Sequence, residues 1–123
     1  MPPPDKIDVP ETFKFIDEHW SPRIVADCNG QHVKLAKLFG EFVWHKHDEA
    51  DELFMIVKGS LDIEFRDGVT TLGEGELCVV PAGIEHRPVA REECHVLLFE
   101  PAGTINTGDA EACDLTVDQP ARI

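Results

Sequence analysis

Tyrosine is absent from this chain, basic side chains are scarce, and neither a long apolar run nor a closely spaced cysteine pair occurs. Without tyrosine, no tyrosinate can serve as a catalytic base. Eleven lysines and arginines stand against twenty-four acidic residues, and the resulting net charge of −13 repels phosphate backbones. Nucleic acid and anionic membranes are therefore not expected partners. No apolar run approaches the roughly 18 residues of a membrane span. Met1-Pro-Pro-Pro-Asp-Lys6 has no apolar signal-peptide core, so a cytoplasmic protein is expected. Cys28, Cys78, Cys94 and Cys113 are widely spaced and form no Cys-x-x-Cys pair, which reads as reduced thiols rather than a disulfide framework.

What remains is an ordinary globular composition, 42% hydrophobic and 28% charged over 123 residues, enough for one domain with one core. Helical periodicity is almost lacking. Instead, eight or more short strands are expected, punctuated by Gly, Pro and Asp-Gly turns, which points to an all-β sandwich or barrel. The expected division is an N-terminal arm over 1–20, a barrel over 21–102 and a tail over 103–123. The arm opens with a proline-rich, loosely held stretch, and Glu11–Trp20 is readable as a helical turn or an edge strand. Asn29-Gly30 lies between apolar runs and predicts a hairpin between Arg23–Ala26 and Gln31–Phe39. The tail either covers a barrel edge or crosses to a partner subunit.

The segment Gly40–Gly59 carries the chemistry. His45 and His47, two apart on a strand, point to one face. Glu52 follows after the polar stretch Asp48-Glu-Ala-Asp51, whose turn propensity can fold the next strand, Glu52–Lys58, back beside the histidines. Two imidazoles and a carboxylate suit a divalent transition metal. On spacing alone, two exposed histidines in an acidic turn fit equally well.

A second segment follows at Gly75–Ala90: a glycine turn, a short buried strand Leu77–Val80, a Pro81-Ala-Gly83 turn, and His86 opening another strand. It supplies a fourth candidate ligand. Together the segments resemble the paired motifs of the cupin superfamily. The first runs Gly, His-x-His, four residues, Glu, six residues, Gly. The second runs Gly, five residues, Pro-x-Gly, two residues, His. The chain departs from the family in having four rather than five residues between Gly40 and His45, and Ala90 where Asn is frequent; neither is a family ligand position.

The resemblance implies a double-stranded β-helix, the jelly-roll cupin barrel, with one divalent ion (Fe, Mn, Ni, Co or Zn) held by His45, His47, Glu52 and His86. Four protein ligands leave open positions on an octahedral ion, as catalysis requires. It also implies a homodimer and a small-molecule substrate. The expected activity is that of a small metal-dependent enzyme acting on an oxygenated molecule, by dioxygenase, sugar-phosphate isomerase or lyase chemistry. The alternative is a non-catalytic module binding a sugar or acid, with a vestigial or structural metal.

The base candidates are Glu52, Glu100 and His95. His95 shares a strand face with Leu97 and Phe99, and Glu100 shares the other with Val96 and Leu98; parity does not say which lines the pocket. Lys37, the odd member of the set Val33, Leu35 and Phe39, reaches an anionic substrate group if that face is interior. Arg87 and Arg91 are further candidate phosphate donors, although Arg87, adjacent to His86, should point away from the metal. A polar break is expected over Ala90–Cys94.

Overall fold

A computed structural model describes residues 1–117 and 119–123. Seven antiparallel strands build it: β1 (Arg23–Cys28), β2 (Gln31–Glu41), β3 (Glu52–Lys58), β4 (Leu61–Phe65), β5 (Gly68–Leu72), β6 (Leu77–Val80) and β7 (His86–Pro101). The order is β1-β2-β7-β3-β6, with β4 joining β7 to β5. The all-β jelly roll expected from the sequence is what the chain adopts.

β7 is the spine. Its first residues, His86–Val89, pair with β4, while its later residues pair with β2 on one side and β3 on the other. The polar break expected at Ala90–Cys94 does not end the strand. Arg91, Glu92 and Glu93 form an exposed bulge opposite Phe39, between the pairs Gly40↔Ala90 and Leu38↔Cys94. Such a bulge bends a strand while keeping its pairing, so one sixteen-residue strand does the work of two. This is also why fewer strands form than expected.

Asn29 and Gly30 both have left-handed backbones, φ 52° and 77°. That is the primed turn a tight hairpin needs, and it sets β1 against β2.

Two apolar clusters flank the sheet. Inside lie Ala36, Leu38, Phe54, Ile56, Ile63, Val96 and Leu98. Outside, Phe13 and Ile16 cover Leu35, together with Val25, Val57 and Leu97. The N-terminal arm is thus only partly loose: a helical turn, α1 (Val9–Thr12), capped by Asp8 and followed by a 3-10 turn at Phe13–Phe15, docks onto the sheet. Burying Phe13 and Ile16 contributes about 1.5–3 kcal/mol each. β6, expected to be buried, is an edge strand with Leu77 and Val79 exposed.

The tail covers a barrel edge. Ile24 N donates to Ala121 O at 2.9 Å and Ile24 O accepts from Ile123 N at 3.0 Å, and Arg122 pairs with Asp27 at 2.7 Å. Asp109 caps the Lys46 amide at 2.8 Å, and Asn106 ties Leu115 O and Val117 N together. Gly108, at φ +54°, packs so closely on the Lys46 carbonyl that a Cβ would collide with it. Gly108→Ala should therefore release this segment. Loss of hydrogen-exchange protection at the Asp109 amide and a stability loss of about 1–3 kcal/mol in urea unfolding are expected; an unchanged Asp109 amide would contradict the docking.

Candidate metal centre

The centre is assembled by one reciprocal backbone contact. His45 N donates to His86 O at 3.0 Å and His86 N donates to His45 O at 2.8 Å, an isolated bridge joining the segment before β3 to the start of β7. His47 lies two residues on, and its carbonyl accepts from Gly83 N at 2.8 Å, anchoring the Pro-Ala-Gly turn. Asp51, accepting from Ala82 N at 2.9 Å, closes the loop that carries the chain into β3, where Glu52 is the first residue.

All four side chains are buried, His86 completely, and their candidate ligand atoms lie within 4.8 Å of one another. His45 Nδ1 donates to Val43 O at 2.9 Å and His86 Nδ1 donates to Ile84 O at 3.0 Å. Each such bond fixes the ring and leaves Nε2 as a lone pair aimed inward. His86 Nε2 is 3.3 Å and His47 Nε2 3.4 Å from Glu52 Oε1. His47 Nε2 is buried without a hydrogen-bond partner among the described residues. Acceptors converging on one buried point are the arrangement a cation satisfies, and burying them otherwise is costly. The residues present therefore fit a divalent metal ion.

The electrostatics agree. Burial, and then the proximity of the His86 ring, lower His45 to a pKa of about 4, so this imidazole stays neutral and free to ligate. Burial pushes Glu52 upward, but the surrounding His47, His86 and Glu100 side chains outweigh it and hold the carboxyl below its ordinary range. Glu100 moves the other way: burial, and then the Glu52 charge, raise it well above the carboxylate range against the pull of Lys34. The proton of the pair resides on Glu100 and the charge on Glu52.

Beside the centre lies a chamber of about 30 Å³ bounded by His45, Glu52, Leu38, Phe42, Phe54 and Leu98. Trp20 and Asn106 also line it. The Trp20 ring stacks on Phe42 at 4.6 Å and its Nε1 donates to Phe39 O at 2.8 Å. A second, open cavity of about 530 Å³, between residues 46–50 and 101–109, reaches His47 from the polar side.

The structure separates the other candidate residues. Glu100 is buried on the face it shares with Val96 and Leu98, but does not line the chamber. His95 and Lys37 lie outside the barrel. The His95 ring stacks on Phe13 at 4.5 Å with its Nε2 3.2 Å from Glu93, and Lys37 is its cross-strand neighbour. Arg87 also points outward, onto Glu64, Glu41 and the Trp44 ring, and Arg91 pairs with Asp62. His32, expected at the surface, is half-buried beside Asp27.

The residue that sequence reasoning passed over is Lys34. It is 2% exposed and donates to Glu100 Oε1 at 2.9 Å. Its signal was a lysine in the apolar set shared with Ala36 and Leu38.

A jelly roll that buries three imidazoles and a carboxylate around one point defines a class of β-barrel with a candidate metal site at its core. The cupin-domain family model matches residues 31–100, and the chain belongs to the cupin family. A cupin-2 domain-containing protein of Shewanella frigidimarina is 46% identical with a TM-score of 0.76, over 77% of this chain and 93% of that one. Protein NMB1881 of Neisseria meningitidis is 33% identical with a TM-score of 0.73, over 80% of this chain and all of that one. The YdbB protein of Bacillus subtilis is 38% identical over 64 residues, 51% of this chain and 57% of that protein's length. The chain thus spans little more than half of this relative.

Removing one ligand should open the centre. His47→Ala or His86→Ala should weaken metal binding by about tenfold or more, read by elemental analysis after equilibrium dialysis; unchanged metal content in both variants would refute the ligand assignment.

Proposed function

We propose that this protein is a small metal-dependent enzyme acting on a small, largely apolar oxygenated molecule by oxygen-dependent or lyase chemistry. One observation carries this reading: two of the four candidate ligands, His45 and Glu52, line a chamber walled by Leu38, Phe42, Phe54 and Leu98. A divalent ion with four protein ligands keeps open positions and supplies Lewis acidity, or redox chemistry if it is iron. The chain's own residues do the rest. The apolar walls exclude water and strengthen electrostatic interactions within the chamber, and Glu52 supplies a carboxylate on its wall. Sugar-phosphate isomerase chemistry fits less well. No lysine or arginine lines the chamber among the described residues, and Arg87, Arg91 and Lys37 face elsewhere.

The test begins with protein purified without chelator or a metal-binding tag. About one transition-metal ion per chain is expected, with oxygen uptake or lyase turnover of small apolar substrates lost on chelation and restored by the same metal. A protein that holds no metal and takes none up on titration would overturn the proposal.

We also infer a homodimer. The exposed pair Leu77 and Val79 on the edge strand β6 supports it, since an open apolar edge invites pairing. Light scattering should give twice the 13.7 kDa chain mass; a single monomeric species would exclude it.

A further inference from the structure

The outer face of the sheet gathers cationic side chains that the metal centre does not use. Lys37 on β2 and Lys58 on β3 are both cross-strand neighbours of His95, one on each side of β7. Three adjacent strands thus set a basic residue in one row. A bulge at Val57, between the pairs Ile56↔Val96 and Lys58↔His95, brings Lys58 into that row, and Val57 and Lys58 line one cavity together. Unbroken alternation after the buried Ile56 would have turned Lys58 into the barrel. The cavity measures about 500 Å³, a volume ordinary for a small-molecule site. Pro10, Phe13 and Lys14 of the N-terminal arm complete it, and the Phe13 ring stacks on His95 at 4.5 Å, which gives the cavity a flat apolar wall.

Charge here is unbalanced. Every arginine has a carboxylate partner, as do Lys14, Lys34 and Lys46. Among the described residues Lys37 and Lys58 have none within ion-pair distance, in a chain with twenty-four acidic residues. The carboxylates on this face are engaged elsewhere: Glu74 accepts from Gly59 N at 3.0 Å, and Glu93 holds His19 and His95. The backbones of Lys37 and Lys58 stand two strand spacings apart, roughly 10 Å, and their four-carbon stems let both ammonium groups converge on one oxyanion. Two like charges over one cavity repel each other, and an anion between them offsets that repulsion.

We propose that this cavity is a second ligand site that binds a small phosphate monoester, with the phosphate between Lys37 and Lys58 and the organic portion against Phe13 and Val57. Two unpaired ammonium groups match the charge of about −1.5 to −2 that a phosphate monoester carries at neutral pH; a carboxylate would leave one of them unanswered. None of His45, His47, Glu52 and His86 lines the cavity, so the ligand held here is distinct from any in the metal-centre chamber. The net charge of −13 repels phosphate from the molecule as a whole, so binding depends on this local cluster.

The test is titration of the protein with phenyl phosphate at low salt, followed by calorimetry and by amide chemical shifts. One phenyl phosphate per chain is expected, with shifts at Lys37, Lys58 and His95 and an affinity above that of inorganic phosphate or benzoate. Lys37→Met/Lys58→Met should keep the parental melting temperature and bind about tenfold or more weakly. Lys58→Glu, a charge reversal at an exposed position, should abolish binding in a folded protein even where the double variant does not fold. Lys46→Met, which removes the lysine of the other open cavity, should bind as the parent does. No binding at millimolar phenyl phosphate, parental affinity in Lys58→Glu or the double variant, or a loss confined to Lys46→Met would overturn the site. Benzoate binding as tightly as phenyl phosphate would overturn the phosphate assignment, and inorganic phosphate doing so would overturn the apolar contact.

Discussion

Two backbone hydrogen bonds between His45 and His86 hold the functional half of this molecule together. They join a segment outside the regular strands to the first residue of the longest one, and everything chemical hangs from that junction. His47 follows two residues later on the same face, the Pro-Ala-Gly turn locks beneath it, and β3 then delivers Glu52. The imidazoles are oriented by carbonyls only two residues away from them, Val43 O and Ile84 O. The ligand geometry is therefore set locally by the strands themselves, and the core has only to keep those strands in register.

Much of this was legible because the relevant signals are short-range. Ligand spacing, turn residues and the alternation of β3 each depend on a few neighbours, and β3 and β6 begin and end where the sequence places them. What parity could not resolve was which face of a strand looks inward. Both faces of β2 are apolar, each with one lysine, because the strand is covered inside by the barrel core and outside by Phe13 and Ile16. With no polar face to break the tie, Lys37 drew attention that belonged to Lys34. The same two-sided cover hid the fate of His95. The bulge at Arg91–Glu93 was missed for a different reason: three polar residues look like the end of a strand, and only the long-range pairing of β7 with β2 on both sides of them shows that the strand continues.

Charge in the interior is concentrated rather than dispersed. Lys34, Glu52, Glu100 and three histidines occupy one contiguous region, and the surrounding wall is almost wholly hydrocarbon. Such an environment magnifies each electrostatic interaction it encloses. Burial and the Glu52 charge raise Glu100 against the pull of Lys34, while Glu52 is held below the ordinary carboxylate range.

On the surface the balance is reversed in scale but not in sign. Every arginine is paired with a carboxylate, and an excess of acidic groups remains beyond those pairs. A net charge of −13 favours cations over anions in the layer of solvent around the molecule. This outer field weakens with rising salt, whereas the interactions within the buried cluster are screened much less.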